Sequence, residues 1–196
     1  MGTYWTLTRR ELGAYFLSGT GYLVIAGAVF LMGLSFVDLL ERLQGEHTTM
    51  PDPALFFATP FFWLILLLAA PVITMRLFAL EKFSGAFETL MTAPVREAQV
   101  VLAKFTAALV FYAVMWLPLL GCLLVLRYYT SDHAPFDYAA FGTTFLGILL
   151  LGALFLAIGC CASALTRSQV GAAMMSLAGG TSLFMLAFLA DKFPAQ

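Results

Sequence analysis

The chain has 196 residues, of which 62 % are apolar and only 11 % charged, with a mean hydropathy of +0.93. Soluble domains hold roughly 45–50 % apolar and about 25 % charged residues, so there is too little polar surface here to keep the chain in water. A net charge of −1 offers no basic patch for nucleic acid, and no long polar segment exists from which to build a soluble domain.

Crossing a hydrocarbon core of about 30 Å takes about 20 helical residues, so the spans are sought as stretches free of charge. Ahead of the first, Trp5–Phe16 mixes Trp5, Leu7, Leu12, Tyr15 and Phe16 with Arg9, Arg10 and Glu11. That mixture predicts an amphipathic helix lying along the inner membrane surface. Thr8–Leu12 is superficially similar to a twin-arginine signal. The apolar stretch after it is too long, however, and no small-x-small cleavage site ends it, so the helix is read as retained.

Five windows qualify as spans: Leu12–Val37, Pro53–Met75, Phe105–Leu126, Tyr138–Thr166 and Ser168–Ala190. Apolar residues surround each window instead of alternating, and lipid-exposed backbone needs internal hydrogen bonds, so these are helices and not barrel strands. The expected fold is an all-α integral membrane protein of about five transmembrane helices, a single domain over 1–196. With the N-terminus in the cytoplasm, the inner side collects Arg9, Arg10, Arg76, Lys82, Arg96, Lys104 and Arg167 against Arg42, Arg127 and Lys192 outside. Seven basic residues against three satisfies the positive-inside rule.

Chemistry is sparse in these windows, because every charge falls at or beyond a window edge and no proton or ion path is expected. Serines and threonines occur within them, Ser163 and Ser176 included, but no His or Asp shares those windows to activate one. Local bonding to the preceding turn is the expected role of these hydroxyls. Cys122, Cys160 and Cys161 lie in apolar runs and read as small packing residues, and His47 and His133 as ordinary loop residues. Without a Walker-type phosphate loop, the chain is expected to be no enzyme and to bind no cofactor of its own. Phe56, Phe57, Phe61, Phe62 and Trp63 form an aromatic group at the outer end of the second span, with lipid-facing positions the expected reading and an amphipathic cargo the alternative.

Two features stand out. The inner loop from Arg76 to Arg96 carries Glu81, Lys82, Gly85, Phe87, Glu88, Leu90 and Pro94. Gly85 suits the end of a helical extension of the second span, and Ala86–Met91 a short helix with Glu88 in its first turn, where an acid complements the dipole. Pro94 then suits the first turn of the next span. From the residues alone this loop reads as a solvated connector or as an interface element. The second feature is spacing: Ala172, Ser176 and Gly180 recur every four residues, as do Gly159 and Ser163. Such stripes serve helix packing within one bundle or between subunits.

The run Arg76…Glu81-Lys82-x-x-Gly85-x-x-Glu88-x-Leu90…Pro94-Val95 resembles the signature of ABC-2-type transporter permeases, and more narrowly the branch associated with gliding motility and related bacterial export. Arg10-Glu11-Leu12-x-x-Tyr15-Phe16-x-Ser18…Tyr22 and Gly159-x-x-x-Ser163-x-Leu165-Thr166-x-x-Gln169 are similar to the same branch. The resemblance implies the permease subunit of an exporter in the bacterial inner membrane. Its partners would be a second permease, identical or not, and cytosolic ATP-binding subunits that hold the ATP and magnesium.

By the same resemblance the loop after the second span is the coupling helix, with Arg76, Glu81, Lys82, Gly85, Phe87, Glu88, Leu90 and Pro94 at the ATPase interface. Arg9, Arg10 and Glu11 lie on the connecting helix, and Ala172, Ser176 and Gly180 on a packing or dimer face. Two departures stand. Leu80-Glu81 replaces the pair of acids common in the family, and such permeases usually have six spans, so Asp191–Gln196 reads as the outer loop of a chain truncated or shortened by one helix. A non-transporting membrane scaffold is the rival reading, and a neighbouring Walker-motif ATPase gene would favour transport.

Overall fold

The computed structural model describes residues 2–45, 59–85, 96–129 and 138–192, and among these the regular structure is helical. The described residues form eight helices in chain order: α1 (Gly2–Phe16), α2 (Gly19–Gly45), α3 (Pro60–Thr74), α4 (Ala79–Ser84), α5 (Glu97–Met115), α6 (Leu117–Tyr129), α7 (Tyr138–Leu165) and α8 (Gln169–Lys192). Among the described residues five stretches are long and apolar enough to cross a membrane: Gly19–Asp38, Pro60–Ser84, Glu97–Cys122, Gly142–Leu165 and Gln169–Leu189. The number of spans agrees with the sequence reading; their bounds differ in ways that matter.

The first window divides at Leu17–Ser18, where Ser18 Oγ accepts the Gly21 N–H at 3.2 Å and starts α2 as a separate helix. α1 therefore stands outside the span and rests against α5, its Tyr4 hydroxyl 2.7 Å from Thr106 Oγ1. Tyr15 stacks on Phe111 with ring centroids 5.0 Å apart, and Phe16 meets the same ring edge-on. Trp5 on the opposite face stays exposed, as an amphipathic surface helix requires.

α3 is the centre of the bundle, with α2, α7 and α8 packed around it. Pro60 takes its first position after an extended Thr59, whose hydroxyl lies 3.0 Å from buried Ser35 on α2. Phe62 is fully buried and packs against Trp63 and Trp116, so this aromatic residue is core and does not face lipid as expected. Phe56 and Phe57 lie outside the described residues.

α5 and α6 form one path bent at Trp116, where Pro118 removes an N–H that a continuous helix would use. α7 and α8 form a tight hairpin, with Ser168 Oγ accepting the Gly171 N–H at 3.3 Å. Gly159 is the close approach of the bundle: a Cβ there would collide with Thr74 and Ser176, so α3, α7 and α8 converge at this point.

Candidate functional site

The second span does not run straight to its end. Pro71 removes one hydrogen bond inside α3, the helix stops at Thr74, and the chain turns through Met75–Phe78 before α4 resumes. A helix that restarts inside a bundle presents unpaired N–H groups. Ser163 on α7 supplies their acceptor, its Oγ lying 3.1 Å from both the Phe78 and the Ala79 nitrogen. The hydroxyl expected to bond within its own helix thus caps a different one.

The same short helix is held from two further sides. Lys82 Nζ donates to the Ala164 carbonyl at the end of α7. Glu81 Oε1 accepts from Lys104 Nζ on α5 at 2.7 Å and from Arg10 on α1 at 3.4 Å. Lys104 also reaches Glu11 Oε1 at 3.2 Å, and Arg10 reaches the same oxygen at 3.1 Å. Two acids and two bases from α1, α4 and α5 therefore close one charge-balanced cluster.

Lys104 is the residue that the sequence reading misplaced. Its side chain is only 3 % exposed, and it lies inside the span Glu97–Cys122, not at the edge of a span that begins at Phe105. The expectation that every charge falls at or beyond a span edge is corrected by this residue, and by Arg76, Glu81 and Lys82 within Pro60–Ser84. The signal lay in its register, because Val100, Ala107, Ala108 and Phe111 share its face and all are buried. An ammonium there needs carboxylates, since an unpaired buried charge costs several kcal/mol, about 3–5 when one partner of a buried pair is lost. The Phe78 ring, 5.6 Å from the ammonium, completes its surroundings.

Above the cluster lies a cavity of about 210 Å³ bordered by Arg10, Glu11, Tyr15, Thr20, Arg76 and Lys104. The Tyr15 hydroxyl donates to the Ile73 carbonyl at 2.8 Å, and Arg76 donates to Thr20 Oγ1 at 2.5 Å. Both bonds tie the α1–α2 corner to the break between α3 and α4. Burial, with Glu11 nearby, pushes the Tyr15 phenol well above the usual tyrosine range and keeps it neutral.

Gly85 closes α4 with φ of 75°, a left-handed cap that turns the chain toward 86–95. Phe87, Glu88, Leu90 and Pro94, with the short helix expected over Ala86–Met91, lie outside the described residues. Arg9 and Arg10 are exposed on α1, and Glu11 faces the cluster. On α8, Ala172 and Ser176 are buried inside the chain, and a Cβ at Gly180 would meet the Phe155 ring at 3.0 Å. That stripe faces α7 and α3 of its own bundle. No grouping of His, Cys, Asp and Glu suited to a metal ion occurs among the described residues.

Comparison with known proteins places this architecture. The family model described as ABC-2 family transporter protein matches residues 15–194. No curated protein and no solved structure matches the chain.

Proposed function

The chain belongs to the ABC-2 transporter family, and from that premise we propose that it is the permease subunit of an ATP-driven exporter. Members of the family associate with ABC ATPase partners, and hydrolysis normally resides on that separate subunit. In this reading the protein sits in a bacterial inner membrane with α1 on the cytoplasmic side. It pairs with a second permease and receives its energy through the segment that follows α4.

The observation that supports this most is the bracing of α4 by Ser163, by Lys104 and by Arg10. A six-residue helix held only by its ends would yield under load. One fixed to α1, α5 and α7 instead carries displacement at Gly85 into three helices together. Lys104 and Arg10 share Glu81 on α4 as they share Glu11 on α1, so Glu81 is the one carboxylate of the short helix and serves as the pivot where related chains commonly carry two acids. Phe87, Glu88, Leu90 and Pro94 would then meet the ATPase, with α1 as the connecting helix beside them.

Co-expression with an ABC ATPase subunit from the same genome, one encoded beside this chain if the neighbouring reading frame carries a Walker motif, tests the proposal, using an affinity tag on the permease. The expected result is a stoichiometric complex whose hydrolysis rises when the permease is present. Recovery of the permease alone, or of a complex with unchanged hydrolysis and no export, would favour a membrane scaffold instead.

A further inference from the structure

The polar cavity above the charged cluster is not closed toward the bilayer. Val24 and Val72 line both this cavity and a second, apolar groove of about 200 Å³ between α2 and α3. The groove follows α2 from Leu23 to Leu31 and α3 from Val72 back to Ile65. At 1.5 Å per residue that is about 12 Å of helix axis, most of one leaflet of a hydrocarbon core about 30 Å thick. Leu23 and Leu68, both more than half exposed, form its rim, so it opens sideways.

The charges around the polar end are not balanced. Arg10 and Lys104 pair with Glu11 and Glu81, but Arg76 meets no carboxylate among the described residues and donates only to the Thr20 hydroxyl. Three cations against two acids leave one positive charge at the cavity's edge, directly above an apolar slot of leaflet depth. We propose that this continuous site binds one acidic phospholipid, its phosphate at Arg76 and Thr20 and one acyl chain in the α2–α3 groove. A guanidinium suits a phosphate through paired, charge-assisted hydrogen bonds, and a free anion would leave the groove unused.

The two ends can be tested separately. Arg76→Gln removes the charge, and Gly27→Leu fills the groove at a position where a Cβ meets nothing within 4 Å, so the helix tolerates it. The full-length protein is purified in detergent and titrated with dioleoyl phosphatidylglycerol, dioleoyl phosphatidylcholine and inorganic phosphate, with bound lipid counted by native mass spectrometry. The wild type should prefer phosphatidylglycerol over phosphatidylcholine about fivefold, and Arg76→Gln should abolish that preference. Gly27→Leu should lower retention of both lipids while its melting temperature without lipid stays at the wild-type value. Equal retention of both lipids by the wild type overturns the proposal. So does loss of self-association in Gly27→Leu with lipid binding intact, which would make the groove a contact with a second copy. Displacement of phosphatidylglycerol by millimolar phosphate, with Gly27→Leu behaving as wild type, would reduce the site to one for a free anion.

Discussion

Lys104 Nζ stands 2.7 Å from Glu81 Oε1, joining the buried face of α5 to the short helix that ends the second span. Neither group has water to fall back on, because Lys104 is almost fully enclosed and Glu81 Oε2 is buried with no hydrogen-bond partner of its own. Removing either partner leaves the other with one longer contact, Glu81 with the exposed Arg10 at 3.4 Å or Lys104 with Glu11 at 3.2 Å. Lys104→Met should destabilise the protein, by less than the roughly 3–5 kcal/mol of a wholly unpaired buried charge because Arg10 still reaches Glu81, read as a fall in the thermal midpoint in detergent. The double variant Lys104→Met/Glu81→Gln should recover a large part of that loss, since Arg10 and Glu11 still pair without them. Additive losses would mean that the two residues do not share an interaction.

Ser163→Ala takes away the one acceptor shared by the Phe78 and Ala79 N–H groups. A lost cap with buried donors costs about 2 kcal/mol. Hydrogen–deuterium exchange should quicken over residues 78–84 while α7 itself stays protected. Unchanged exchange there would show that the bend is held by other contacts.

Gly85 adopts a positive φ with open space around the site of a Cβ, so any penalty is conformational and not steric contact with neighbours. Gly85→Val should cost about 1–2 kcal/mol or redirect the chain beyond α4, and Gly85→Asn should cost markedly less. In the complex, hydrolysis and export should separate in the valine variant and remain coupled in the asparagine one. Equal coupling in both would remove Gly85 from the transmission path.

Tyr15 yields a pH prediction. Its folded phenol is raised above the value in the unfolded chain, so its contribution to stability is complete below about pH 10 and declines as pH rises beyond that. Ultraviolet titration of wild type and Tyr15→Phe should give the same tyrosinate absorbance near pH 11, because Tyr15 is still protonated there. Tyr15→Phe should also lose about 1 kcal/mol, from the bond to the Ile73 carbonyl. An extra tyrosinate in the wild type at that pH would contradict the buried environment.

The spans were legible because composition and charge spacing are sufficient to find them: the sequence predicts five windows and five candidate spans occur among the described residues. The separate N-terminal helix was legible too, from Arg9 and Arg10 set among aromatic residues. What escaped was pairing between elements distant in the chain. Lys104 looked like the charge that bounds a span because a window search ends at any charge, whereas its register among Val100, Ala107 and Phe111 marked a buried face. Ser163 escaped because nothing local reveals that another helix breaks beside it. Phe62 escaped because a span's aromatic residues look alike whether they face lipid or core. The family match likewise supports the whole family, while the narrower motility-related branch rests on the motif residues alone.

The most direct test of the account is whether the segment beyond Gly85 touches the ATPase. Single cysteines at Phe87, Glu88 and Leu90, and a control at Asp132, are introduced after Cys122, Cys160 and Cys161 are replaced by Ala. Each variant is cross-linked with a short maleimide–benzophenone reagent, its maleimide on the introduced thiol and its photoactivated ketone free to insert into any C–H bond within reach, in membranes that contain the ATPase subunit. The account predicts a permease–ATPase adduct from Glu88→Cys and at least one neighbour, altered by nucleotide, and none from Asp132→Cys. Adducts from Asp132→Cys alone, or none from the loop in a complex that still exports, would contradict it.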